Sequence, residues 1–196
     1  MAEFTMQRTA LLIIDVQQGL CEGEARAFQA EQIIRNINLV AGKARAAKAL
    51  VVFIQHESKS GALAHGTEGW QLAHGLHVEP GDFKIRKTTP DAFHRTDLGD
   101  LLRRHGITTL VICGMHTEFC VDTTTRRALA LGFPVFLVED AHTTEDKGHL
   151  SALQIIRHHN ATLTQIASFG PRVQTVAAKA LRFGDQTIEP WRTTEK

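Results

Sequence analysis

Cysteine is scarce in this 196-residue chain: Cys21, Cys113 and Cys120 are the three present, and they stand in unlike contexts. That is neither the even count nor the dense spacing of a disulfide scaffold, so a reducing, cytoplasmic setting is expected. An excess of charge of one sign is missing as well. Lys and Arg number 22 against 21 Asp and Glu, a formal charge of +1, which gives no electrostatic ground for nucleic acid or a membrane surface as partner. No apolar run approaches the roughly 20 residues of a membrane-spanning helix, and the N-terminus lacks a signal-peptide core. Repeats, low-complexity stretches and a Pro/Gly/Ser linker are absent. The expectation is one domain over 1–196, with a core over 8–183 and a polar tail from Gly184. Absent motifs exclude further classes. No G-x-G-x-x-G follows Ile14, which argues against a dinucleotide-binding oxidoreductase. The lack of a G-x-S-x-G elbow or a P-loop argues against a serine hydrolase or an NTPase.

What is present alternates between two periods. Short continuous apolar runs at Ala10–Ile14, Leu50–Ile54, Leu110–Cys113 and Val135–Val138 have the pattern of strands buried on both faces. Asp82–Arg86 and Ala161–Ile166 complete the expected strands. Between them, helical spacing appears in Ala30–Ala49, Asp97–His105, the segment after Cys120, Lys147–His159 and Val173–Leu181. Strands alternating with helices predict an α/β chain, a three-layer doubly wound fold with a mostly parallel sheet of about six strands flanked by helices. Val16–Gly23 is expected to be loop. Ser58–Gly81 is a long irregular stretch, in which Trp70 and Leu72 give a lid something apolar to lay over a pocket. Its histidines, His65, His74 and His77, lack ligand-grade spacing such as H-E-x-x-H and are expected to be solvated.

In an open parallel sheet, ligands bind outside the carboxyl ends of the strands. Three chemically capable side chains arrive there: Asp15 after the first strand, Lys87 after the third and Cys120 at the junction between the fourth strand and its helix. At a helix start, unpaired N–H groups and the helix dipole favour a thiolate, so the Cys120 pKa is expected to fall. Asp15 is placed to take the thiol proton and return it to a leaving amine, with Lys87 stabilising the anionic partners. Backbone N–H groups in the turn before Cys120 supply a candidate oxyanion hole. The chemistry predicted is attack on a carbonyl carbon, loss of an amine, and hydrolysis of the thioester. A catalytically silent binding or scaffold protein is the alternative, and it predicts an ordinary thiol at Cys120.

Three segments, Leu12-Ile-Ile-Asp15-Val-Gln17, Lys87-Thr-Thr-Pro-Asp-Ala-Phe93 and Gly114-Met-His-Thr-Glu-Phe-Cys120-Val, resemble in order and spacing the signatures of the isochorismatase-like cysteine hydrolases, the relatives of nicotinamidase and carbamoylsarcosine amidohydrolase. The resemblance covers roughly residues 8 to 170. It implies an Asp15–Lys87–Cys120 triad and chooses Lys87 over Lys84, because the family's lysine precedes an Ala-Phe pair. It also implies a non-proline cis peptide at Met115–His116, which aims the His116 N–H, with that of Cys120, at the oxyanion. Nicotinamidases of the family carry an Asp-x-His metal motif after the second strand. Here that place reads Gln55-His56-Glu57, so no metal and no cofactor are expected. Cys120 sets the chain apart from isochorismatase itself and implies an amidase, as in the metal-free carbamoylsarcosine, ureidoacrylate and streptothricin hydrolases. The partners implied are a small-molecule substrate and further copies of the chain, a dimer or tetramer. Gln17, Trp70, Phe93, His116 and Glu118 are the expected substrate contacts. His94, His105, His158 and His159 are expected at the surface, and His142, placed in the loop after the fifth strand, away from the crevice.

Overall fold

A computed structural model describes residues 8–23 and 26–183; the polar tail expected from Gly184 lies outside them. Six strands, β1 (Thr9–Ile14), β2 (Leu50–His56), β3 (Phe83–Lys87), β4 (Thr109–Met115), β5 (Val135–Thr143) and β6 (Val173–Val176), form one sheet in the order β3-β2-β1-β4-β5-β6. Every pairing is parallel. Successive residues of a strand face opposite sides of a sheet, and β1 divides its apolar side chains accordingly. Leu11 and Ile13 enter one core with Ile33, Ile37, Val40 and Ala44 of α2 (Ala30–Ala46). Ala10, Leu12 and Ile14 enter the other. There they meet Leu98, Leu101 and Leu102 of α3 (Leu98–Arg104), Ala128 and Leu129 of α4 (Asp122–Ala130) and Leu163 of α5 (Ala152–Thr164). The result is the three-layer α/β architecture that the alternating pattern predicts.

Between β1 and β4 the strand order reverses, which opens a crevice at their carboxyl ends. The two strands close tightly there. Gly114 has φ +118, and a Cβ at that position would lie 2.1 Å from the Ile14 carbonyl oxygen, so only glycine fits. The paired strands β4 and β5 shift register between Ile112 and Gly114, and β5 runs on past Val138 to Thr143.

Four segments differ from the sequence expectation. Val16–Gly23 is not all loop but contains a one-turn helix, α1 (Gln18–Cys21). Lys147–Ser151 is a turn closed by mutual Lys147–Leu150 backbone bonds, not the start of a helix. The helix begins instead at a capping box, in which Ser151 Oγ accepts from the Gln154 N–H at 3.3 Å and Gln154 Oε1 from the Ser151 N–H at 2.9 Å. Started there, Ala152, Ile155, Ile156 and Leu163 share one buried face, so Ala161–Ile166 is the helix's last turn and its exit rather than a strand. The sixth strand comes later. β-branched Val173, Thr175 and Val176 pair with β5 where a helix was expected, and Ala178 and Leu181 then pack into the first core.

Candidate active site

Asp15 follows β1 directly and holds φ +52, a left-handed backbone that turns its carboxylate into the crevice. Lys87 is the last residue of β3, two strands away. With neighbouring strands about 4.8 Å apart, only a long side chain covers that distance. The fourth strand hands over to a π turn, Thr117–Val121, that carries Cys120 into α4. These elements bring the three side chains together. Lys87 Nζ lies 2.6 Å from Asp15 Oδ2 and 3.2 Å from Cys120 Sγ. Asp15 and Lys87 are 1% and 2% exposed, and Cys120 is 9% exposed. The Met115–His116 peptide just before the turn is cis.

The Cys120 thiol does not follow the expected fall in pKa. Burial, and next to it the Asp15 carboxylate, push it up to about 12, against the opposing pull of Lys87. Desolvation is the largest cause of that rise, and the Lys87 ammonium opposes it. What distinguishes it from the other two cysteines is company. Cys21, also raised to about 12, touches Met115 Sδ at 3.7 Å, and Cys113 lies fully buried in β4. Among the described residues, neither has both a carboxylate and an ammonium beside it as Cys120 does.

The expected substrate contacts divide into two groups. Gln17 is fully buried, and its amide is engaged at both ends: Oε1 accepts from the His56 N–H at 2.8 Å, while Nε2 donates to the carbonyls of His56 at 3.0 Å and Trp70 at 2.8 Å. It is a brace between β1, β2 and the long loop rather than a free contact. Phe93 stacks on Phe133 at 6.2 Å and packs against the second core. By contrast, Trp70 Nε1, His116 Nε2, Glu118 Oε2 and Asp15 Oδ1 are buried polar atoms without a hydrogen-bond partner among the described residues, as are Thr109 Oγ1, Asp122 Oδ1 and Thr125 Oγ1 elsewhere. Buried polar atoms are rarely left unpaired in native proteins, and those on residues beside Cys120 are candidates for a ligand or water contact. Glu118 Oε1 accepts from Thr144 Oγ1 at 2.9 Å, and Lys147 Nζ sits 3.4 Å away, also bridging Glu145 at 2.7 Å. Burial, ahead of the opposing pull of Glu118, lowers the His116 pKa.

Two participants were not singled out from the sequence. His56, the last residue of β2, places Nδ1 3.3 Å from Lys87 Nζ, and burial followed by the Lys87 charge lowers its pKa. The strand-end rule that selects Asp15 and Lys87 selects it too. His142 lies not in a loop but inside β5, completely buried. Its Nδ1 stands 2.9 Å from Thr117 Oγ1 in the π turn and its Nε2 2.9 Å from Asn160 Oδ1 in α5. Burial lowers its pKa to about 4. The loop histidines His65, His74 and His77 are exposed, as are His94, His105 and His158, while His159 is half-buried.

Residues 9–168 match the isochorismatase domain model. A streptothricin hydrolase of Streptomyces noursei is 44% identical over 140 residues, 70% of this chain and 55% of that protein. A second from the same organism is matched over 50% of its length, so the chain spans about half the length of these relatives. The secreted isochorismatase effector Isc1 of Verticillium dahliae is 31% identical over 172 residues, 86% of this chain and 89% of the effector. Among solved structures, an isochorismatase family protein superposes with a TM-score of 0.79 at 37% identity, over 88% of this chain and all of that one.

Proposed function

The chain belongs to the isochorismatase family, and on that premise we propose that it is a cysteine hydrolase cleaving a C–N bond of a small amide, ureido or imide substrate through a Cys120 thioester. One observation carries this reading: a single ammonium, Lys87 Nζ, bridges a carboxylate at 2.6 Å and a thiol at 3.2 Å in a buried crevice at the strands' carboxyl ends.

The raised thiol pKa defines the order of events. Because Sγ holds its proton at rest, attack is coupled to proton transfer: Asp15 accepts the proton as the S–C bond forms. Negative charge then passes from the carboxylate towards the sulfur and the carbonyl oxygen. Lys87 touches both the starting and the receiving group, so it stabilises the charge in either place without moving. The N–H groups of His116 and Cys120 are assigned to the oxyanion. Collapse breaks the C–N bond, and Asp15 returns its proton to the leaving amine. A water, deprotonated by the same carboxylate, then attacks the thioester, and the proton goes back to sulfur. The residues with unmatched polar atoms, Trp70, His116 and Glu118, are assigned to substrate binding, Gln17 and Phe93 to holding the site. The substrate suggested by the relatives is an amide of streptothricin type; no metal and no cofactor are required.

Incubation with a panel of small amides and ureido compounds, quenched in acid and read by mass spectrometry, should show an acyl adduct on the peptide carrying Cys120. Full turnover by Cys120→Ala would end this reading. The silent-scaffold reading draws on one observation, the thiol raised to about 12; it predicts no adduct and no turnover with any member of the panel. Assembly as a dimer or tetramer belongs to the same proposal and is checked by light scattering, where a monomeric mass refutes it.

A further inference from the structure

The Lys87 ammonium has three N–H bonds to place. Asp15 Oδ2 at 2.6 Å and Cys120 Sγ at 3.2 Å take two, and His56 Nδ1 stands 3.3 Å away from the same nitrogen. A nitrogen facing an ammonium must present its lone pair, which puts the imidazole proton on Nε2. The ligand atoms of Asp15, His56 and Cys120 all lie within 4.8 Å of one another, so Nζ occupies the middle of a carboxylate–imidazole–thiol triangle. That triangle is built into the backbone. His56 and Lys87 are register partners on adjacent strands, and Gln17 fixes the His56 main chain by bonds to both its N–H and its carbonyl.

We propose that Asp15, His56 and Cys120 form a cation cage filled by the Lys87 ammonium, with His56 as the third acceptor, and that the cage takes a divalent transition-metal ion when the ammonium is removed. A hard carboxylate, an imidazole and a thiolate are the donor types that zinc and cobalt accept at distances of about 2.0–2.3 Å, with open positions left for water. In the intact protein the ammonium excludes such an ion by occupying its place. His56 is therefore a positioning residue: it holds the third N–H of Lys87, leaving the other two aimed at the groups that exchange a proton. The positioning role rests on the hydrolase reading; the cage itself does not.

The direct test is the Nζ ammonium signal of the full chain labelled with ¹⁵N-lysine. Lys87, assigned by its loss in Lys87→Met, should give a slowly exchanging cross-peak. His56→Ala should speed its exchange at least tenfold, and His56→Asn, whose Oδ1 supplies an acceptor near the place of Nδ1, should restore protection. An unprotected ammonium in the parent chain, or a His56→Ala peak like the parent's, overturns the proposal. The second arm adds cobalt(II) alone to Lys87→Ala. A near-ultraviolet thiolate-to-cobalt band saturating at one equivalent is expected, absent from the parent chain at the same concentration and at least tenfold weaker in binding when His56→Ala is added. No band in folded Lys87→Ala, or one indifferent to His56, refutes the cage. Should Lys87→Ala not fold, the ammonium exchange decides alone. Neither arm measures turnover, so failure here is distinguishable from failure of the hydrolase reading.

Discussion

The two edges of the sheet make opposite use of their polar groups. At the amino ends of the strands lies a cavity of about 670 Å³ bordered by Arg8, Arg45, Lys48, Glu79, Asp82 and His105. Its charges are largely matched: Arg45 donates to both Asp82 oxygens at 3.1 and 2.7 Å and approaches Glu79 at 3.5 Å, and Arg8 donates to the His105 carbonyl at 3.2 Å. At the carboxyl ends, Asp15, His116 and Glu118 each keep a buried polar atom unpaired among the described residues, as Trp70 does in the long loop. An unpaired buried polar atom costs about 1–3 kcal/mol unless a ligand or water satisfies it, and the carboxyl edge keeps more of them than the amino edge, where Thr109 Oγ1 at the start of β4 is one.

The largest effect expected from breaking this contrast is at Asp15. Asp15→Asn removes the carboxylate that helps hold the Cys120 pKa up, while Lys87 continues to pull it down. Iodoacetamide should therefore alkylate Cys120 faster at fixed pH than in the parent chain, as read by peptide mass spectrometry against Cys21 and Cys113. Turnover of whichever amide the panel identifies should nevertheless fall about a thousandfold, since the proton acceptor is gone. Loss of fold would expose the buried Cys21 and Cys113 as well, so faster alkylation confined to Cys120 in a less active protein separates a lost proton acceptor from a lost fold. Slower alkylation together with unchanged turnover would contradict the role given to Asp15.

Removing the other half of the pair tests stability. Lys87→Met strands a buried carboxylate, and breaking such a pair costs about 3–5 kcal/mol, visible as a lowered urea midpoint. Asp15→Asn combined with Lys87→Met should recover much of that loss, because no lone charge remains. If the double variant is as unstable as Lys87→Met alone, the pair is not what holds that edge together.

Next in size comes His142, the buried brace between β5, the π turn and α5. Its folded pKa of about 4 lies below the ordinary 6.5, so between those values the unfolded chain binds a proton that the native chain refuses. Stability contributed by the neutral ring is complete above pH 6.5 and is lost as pH falls towards 4, by about 3 kcal/mol over the window. Urea unfolding at pH 7.5 and 4.5 should show a smaller difference in His142→Gln than in the parent chain. Equal differences would place the acid sensitivity elsewhere.

Much of the candidate site was legible because strand ends are. Asp15 closes an apolar run, Lys87 follows the third expected strand and Cys120 stands between the fourth strand and its helix, and parallel order carries all three to one edge without knowledge of any contact. His56 obeys the same rule, but its part becomes visible only when β2 and β3 are in register and Lys87 reaches across. The Thr117–His142–Asn160 link joins three elements, and no spacing in the chain encodes it. Near the C-terminus, local pattern was ambiguous. Ala161–Ile166 contains two threonines and alternates enough to imitate a strand, and only the capping box at Ser151 sets the helical phase that claims it. The fall expected in the Cys120 pKa failed for a related reason: helix-start electrostatics is local and readable, whereas desolvation depends on how deeply the whole fold buries the sulfur.

The smallest effect is expected at the opposite edge, and it sharpens the contrast most cleanly. Arg45→Ala deletes the cation that Asp82 and Glu79 share, in a setting where Glu79 is well exposed and screened by water. The Asp82 carboxylate is buried, but its Oδ2 still accepts from the Glu79 N–H at 2.7 Å once the cation is gone, so the expected loss is about 1–3 kcal/mol, less than for a carboxylate left with no donor. A modest drop in urea midpoint should follow, with turnover and Cys120 alkylation within twofold of the parent chain. Between the two edges the central strand β1 is packed with buried apolar residues, Ala10 to Ile14. A tenfold loss of turnover in Arg45→Ala would mean that the cavity at the amino ends communicates with the crevice, and the division of labour between the two edges would have to be abandoned.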